Sequence, residues 1–181
     1  MKKINFLSKL NKKGKLSLVE PSEEIKQSYL AKSESSLASA KILLNNSKFE
    51  ESVSLAYYSM YHLLTALLFK VGIKSENHSA SIILLKELFS LDNKLISDAK
   101  KERIDKQYYV GFTLIKKDAE EIILNAEAFN SNIIDFISKI NNKDTINYRN
   151  NFKVIVGLNN NKEDKWQTLL CYLMSAILII I

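Results

Sequence analysis

Apolar positions along the chain recur at steps of three and four and almost never alternate, so the pattern predicts helices. Pro21 and the acids Glu23 and Glu24 open a helix expected over Ser22–Leu44, with apolar marks at Ile25, Leu30, Leu37 and Leu44. Its remaining faces are lined by small residues (Ala31, Ser35, Ala38, Ser39), which would let another helix approach closely. The clearest period runs Phe49, Val53, Ala56, Met60, Leu63, Leu67, Val71, with Gly72 placed to terminate it. A second stripe on this helix (Tyr57, Tyr58, Tyr61, Leu64, Leu68) makes it apolar on two sides, so it should be central or face a partner chain.

A polar loop, Lys74–Ser79, leads to a shorter run from Ala80 to Phe89. Asn93 is then placed to cap a helix holding Leu95, Ile96, Ala99, Arg103 and Ile104, and Tyr108–Phe112, with Gly111, reads as a loop or short extended piece. A last strong helix carries Ala119, Ile122, Ala126, Phe129, Ile133, Phe136 and Ile140. Beyond it the texture changes. Eight asparagines between 141 and 161 suggest a linker, interrupted by Phe152–Leu158 as the best short strand candidate. The expectation is an all-α chain: an antiparallel bundle of four to five helices over residues 21–140, a basic leader over 1–20, and an Asn-rich extension over 141–181 with an apolar end.

Composition narrows this picture. With four Gly and one Pro in 181 residues, the chain lacks the turn signals of a β sandwich, and 46% hydrophobic residues exclude a wholly disordered chain. One cysteine, Cys171, excludes a disulfide framework and a cysteine-based zinc site. Met1–Lys15 has no uninterrupted apolar run of the kind that opens a secretory signal. These features point to a cytoplasmic location. The net charge of +6 equals the six lysines of residues 1–15, so the excess is a property of the leader, either a solvated tail or an unspecific contact for nucleic acid. Leu169–Ile181 has no charge but spans only about 20 Å as a helix, short of a bilayer core of roughly 30 Å. Its readings are a helix docked on the bundle or a dimer contact, a peripheral membrane contact, and a non-native or truncated end.

Few chemistries are available. The isolated glycines form no phosphate loop, and no HExxH, Glu-x-x-His or GxSxG pattern occurs. Of the two histidines, His62 lies on the second helix beside the tyrosine stripe and His78 in the loop KSENHSAS. Neither has a partner at ligand spacing, so no metal and no cofactor is expected. The most unusual stretch is KKERIDKQYY, residues 100–109: Arg103 is in register with Ile96 and Ala99 and must find an acid, a phosphate or water, and Tyr108 and Tyr109 follow it.

On these residues a resemblance rests. AYYSMYHLLTALLFKVGIKSENHS, residues 56–79, resembles the central segment of HEPN domains; RIDKQYYV, residues 103–110, is similar to the Arg-containing motif of the HEPN subgroup encoded beside minimal nucleotidyltransferases; and the Ala126–Phe129 step fits the last helix. The resemblance covers residues 22–140. It implies a helical bundle, a homodimer, and one of several roles: ribonuclease, RNA- or nucleotide-binding module, or toxin held by a nucleotidyltransferase partner. In ribonuclease members the Arg is followed after four to six residues by His, where this chain has Tyr108 and Tyr109. A phenol of ordinary pKa is a poor base, so the sequence leans toward binding over catalysis. The expected contacts to RNA or nucleotide phosphate are Arg103, Tyr108 and Tyr109, with Tyr57, Tyr58 and His62 as the other wall or a dimer contact. A ribonuclease toxin with a rearranged site, using Arg103 and His78, is the first rival. A scaffold or membrane-associated subunit without a nucleic-acid role is the second.

Overall fold

Ser22 starts α2 (Glu23–Asn45): its hydroxyl accepts the Ile25 amide at 3.2 Å, and Glu23 and Glu24 occupy the positive end of the helix. α3 (Phe49–Lys70) returns antiparallel to it after a short turn in which Ser47 takes a positive φ. The two helices lie close enough for hydroxyl-to-backbone bonds: Ser33 Oγ donates to the Ser59 carbonyl at 2.8 Å, Ser59 Oγ to that of Ser33 at 2.9 Å, and Ser52 Oγ to that of Ala40 at 2.8 Å. Small residues do allow the approach, but at Ser33 and Ala40; Ala31, Ser35 and Ala38 are exposed. So is Ile25, whereas Lys26 is buried and ion-paired to Glu23.

The computed structural model describes residues 2–108 and 114–158. Among them α1 (Lys2–Lys12), β1 (Leu16–Leu18), α2, α3, β2 (Ile73–Ser75), α4 (His78–Glu87), α5 (Lys94–Tyr108), α6 (Lys116–Lys139) and α7 (Asn142–Val156) follow in order. The class is all-α, as expected. α3 is the central element, packed against α2, α5 and α6, and Ala56, Tyr57, Met60, Leu64 and Leu67 are inaccessible to solvent. Its two apolar stripes are thereby both used. Asn93 does not cap α5 with its side chain, which donates to the Ile82 carbonyl at 2.9 Å; the Asp92 carboxylate takes the Lys94 amide instead.

Three stretches differ from the sequence-based expectation. The basic leader forms α1, with Leu7 fully buried, Phe6 and Leu10 against the core, and Lys2, Lys3, Lys9 and Lys12 outside. Six lysines hide the one-sided apolar pattern of this segment. Next, β1 pairs antiparallel with β2, Leu16 opposite Ser75 and Leu18 opposite Ile73, in strands of three residues that are too short to leave an alternation signal.

The strand expected at Phe152–Leu158 is the end of helix α7. Phe152 and Val156 are buried, and Tyr148, one turn earlier, packs on Phe89 at 4.9 Å between ring centres. This four-residue spacing outweighs the β-branched composition. Asn141 and Asp144 form a reciprocal cap, each side chain taking the other's amide, and Gly157 ends the helix at φ 78°. From α7, Arg149 donates to the carbonyls of Val19 (2.6 Å), Gly72 (3.1 Å) and Val71 (3.3 Å), tying α7 to the end of α3 and the start of the ribbon. Among the described residues, no helix is long and apolar enough to cross a membrane. Cys171 and Leu169–Ile181 lie outside them.

Candidate functional site

Three elements converge on one ring, that of Tyr57. α3 supplies it, at the level of its midpoint, with Tyr58, Tyr61 and His62 around it. The β1–β2 ribbon sets the start of α4: two residues after β2, Asn77 caps the helix by accepting the Ala80 amide at 3.0 Å, and Ser81 Oγ donates to Ser75 Oγ. His78 is thereby held at the first position of α4. Its Nδ1 lies 2.6 Å from the Tyr57 hydroxyl, and its ring stacks on Tyr61 at 3.7 Å between centres and 14° between planes. α5 supplies Arg103, whose guanidinium carbon is 5.3 Å from the Tyr57 ring centre and 5.5 Å from that of Tyr58, within cation–π range. Lys100, one turn before Arg103 on α5, donates to Ser79 Oγ at 2.5 Å.

The electrostatics follow from this crowding. Burial, and then the positive charges of Arg103 and Lys100, push the His78 imidazole below its ordinary pKa, so it is held neutral near pH 7. Burial and Arg103 lower the pKa of Lys100 as well. Burial drives the Tyr57 phenol far above its usual value, even with Arg103 opposing, and it stays protonated. The Tyr57–His78 bond then admits two arrangements. With the phenol as donor, the imidazole keeps its proton on Nε2; with Nδ1–H as donor, Nε2 is a free base. In both, Nε2 is the nitrogen left for a ligand.

His62 belongs to a neighbouring cluster. Its Nδ1 is 3.3 Å from Ser36 Oγ, and Tyr58 and Tyr29 lie 6.1 and 6.0 Å from its ring centre. Burial lowers its pKa, outweighing a backbone hydrogen bond at Lys32. The structure thus brings Arg103, His78, Tyr57 and Tyr58 together, with His62 reached through Tyr58. Arg103 faces the rings of α3; Tyr108 ends α5, and its side chain, like the whole of Tyr109, lies outside the described residues. Sequence reasoning left Lys100 and Ser79 unassigned. The three-residue step from Lys100 to Arg103 on one helix was the available signal. The meeting of His78 with Arg103 depends on the β1–β2 ribbon and had no local signal.

The arrangement offers two cations and an uncharged imidazole over a floor of phenol rings, which suits an anion carried on a ring-bearing ligand. A sequence model of the HEPN domain matches residues 27–136, which takes in α3, α4 and α5 entire. A UPF0332 protein of Pyrococcus horikoshii is 43% identical over 60 residues, 33% of this chain and 42% of that protein. A Methanocaldococcus jannaschii protein whose name marks it as a candidate toxin is 31% identical over 114 residues, 59% of this chain and 84% of that protein. A UPF0332 protein of Gloeobacter violaceus is 30% identical over 79 residues, 44% of this chain and 63% of that protein. The chain therefore spans less than half of the first of these relatives, most of the second and under two thirds of the third.

Proposed function

The chain belongs to the HEPN domain family, and from that premise we propose that it binds RNA through a backbone phosphate held at Arg103, as part of a toxin–antitoxin-type system. The observation that carries this reading is the placement of the Arg103 guanidinium over Tyr57 and Tyr58, beside Lys100 and His78. A guanidinium offers a planar fork of donors matched to two phosphate oxygens, Lys100 adds charge, and a neutral His78 with its proton on Nε2 adds one more donor. The half-buried Tyr58 ring is a surface on which a base can stack. Likeness to a candidate toxin supports the system-level reading, and the RIDKQYYV motif supports a minimal nucleotidyltransferase as the partner. A homodimer remains part of this proposal.

A second reading, metal-independent RNA cleavage, is favoured by the proximity of His78 to Arg103. In that reaction the ribose 2′-oxygen attacks the adjacent phosphorus, and the bond to the 5′-oxygen breaks. A 2′,3′-cyclic phosphate and a 5′-hydroxyl result. The base takes the 2′-hydroxyl proton, a proton reaches the 5′-oxygen, and cations hold the charge on phosphorus. His78 with Nε2 unprotonated is the candidate base, in place of the histidine that Tyr108 and Tyr109 replace.

Single-stranded RNA incubated with the protein in the presence of a chelator tests both readings. Binding by the wild type, weakened in Arg103→Ala, supports the phosphate site. Cyclic-phosphate products from the wild type but not from Arg103→Ala or His78→Ala establish cleavage. Wild-type protein that neither binds nor cleaves RNA rejects both.

A further inference from the structure

Arg103 and Tyr58 line a cleft of about 540 Å³, and Glu50 and Glu51, two turns earlier on α3 than Tyr58, line the same cleft. Its length runs along α3. Glu51, Leu55 and Tyr58 fall at i, i+4 and i+7 and so lie in one row on the helix surface. Seven residues of helix separate Glu51 from Tyr58, roughly 10 Å of rise. Between the two charged ends the wall is formed by buried Val53 and half-buried Leu55, with half-buried Ser54 as its one polar residue among those lining the cleft. Among the described residues, neither Glu50 nor Glu51 has an ion-pair partner, so their oxygens are available as acceptors.

We infer that this cleft is a nucleoside pocket selective for guanine. The inference rests on the phosphate site at Arg103 and names the RNA that site engages: a strand with a guanosine adjoining the bound phosphate. The charges set the orientation, phosphate toward Arg103 and base edge toward the acids, since the reverse would put phosphate against two carboxylates. The wall between them takes the face of the base. The edge chemistry selects among bases. An ionised carboxylate only accepts, through two oxygens side by side. Guanine alone among the four RNA bases presents two adjacent N–H donors, at N1 and N2, to meet them. Adenine and cytosine place an amino group beside a ring nitrogen whose lone pair would face the carboxylate. Uracil has a single N–H between two carbonyls. Glu50 and Glu51 also sit in the first turn of α3, where negative charge suits the helix dipole; glutamine in their place keeps the volume, removes the charge and puts an NH2 donor where one acceptor oxygen stood.

The test is equilibrium binding of short uridine oligonucleotides carrying one guanosine, adenosine, cytidine or inosine. The wild type, Glu50→Gln/Glu51→Gln and Arg103→Ala are compared, with thermal unfolding used to verify that each is folded. Wild-type protein should prefer the guanosine strand by about tenfold, and inosine, which lacks the N2 donors, should lose most of that preference. The double glutamine variant should bind all strands with the affinity the wild type shows for uridine alone. Arg103→Ala should weaken every strand alike. Equal wild-type affinity for all strands, or a guanosine preference that survives in the double variant, overturns the guanine pocket and leaves the phosphate site standing. Failure of the wild type to bind any strand rejects both.

Discussion

The Tyr57 hydroxyl meets His78 Nδ1 at 2.6 Å, across 21 residues of sequence, while the face of the same ring carries Arg103. One buried phenol thus fixes the two groups on which the proposed chemistry depends. Tyr57→Phe keeps the ring and removes the hydroxyl. The variant should stay folded, lose about 1 kcal/mol of stability in urea unfolding, and release the His78 ring from its fixed orientation, visible as averaging of its imidazole NMR signals. An unchanged His78 spectrum would show that the stack on Tyr61 alone positions the imidazole.

Stability should depend on pH in the range where histidines titrate. His62 and His78 are both held below their ordinary pKa of about 6.5 in the folded chain. As pH falls, the unfolded chain therefore takes up protons first. Stability that is fully present above about pH 6.5 is lost on descending from that value through the lowered folded values. The urea midpoint should be lower at about pH 5.5 than at about pH 7.5, a window above that of Glu23 and Glu76, whose pKa values are held down by lysine partners. His62→Gln/His78→Gln should flatten this slope. A flat wild-type profile contradicts the electrostatic description.

Arg149 joins α7 to the rest of the fold through three carbonyls and no buried carboxylate; Glu20, at 4.0 Å, is almost fully exposed. Arg149→Met should cost about 2 kcal/mol and raise amide exchange in α7 selectively. Equal exchange throughout the chain would mean that the apolar contacts of Tyr148, Phe152 and Val156 hold α7 without Arg149.

Gly72 is packed against the same guanidinium. A Cβ there would collide with Arg149 Nη1 and the Val19 carbonyl, and the residue sits at φ 71°. Gly72→Ala should destabilise by about 1–3 kcal/mol, read from the urea midpoint. A midpoint within error of wild type would show that the junction is looser than described.

Much of the bundle was legible because long helices with one or two apolar faces leave a strong period: α3 and α6 match their expected spans within a few residues. What escaped was carried by charge or brevity. Lysines masked α1 around Leu7, asparagines masked α7 around Tyr148, Phe152 and Val156, and three-residue strands leave no period. The same division holds in the candidate site. Arg103 and the tyrosines could be picked by type and register, since each lies on a periodic helix. The contact of His78 with Tyr57 could not, because it follows from how the β1–β2 ribbon aims the start of α4.

The most direct test of the account is the affinity of single-stranded RNA for the wild type and for Arg103→Ala, followed across a salt series by fluorescence anisotropy. Substitution should weaken binding at least about tenfold. The plot of log affinity against log salt should also become shallower by about 0.7, the signature of one lost phosphate contact. A folded Arg103→Ala protein with wild-type affinity and an unchanged salt slope would contradict phosphate binding at Arg103.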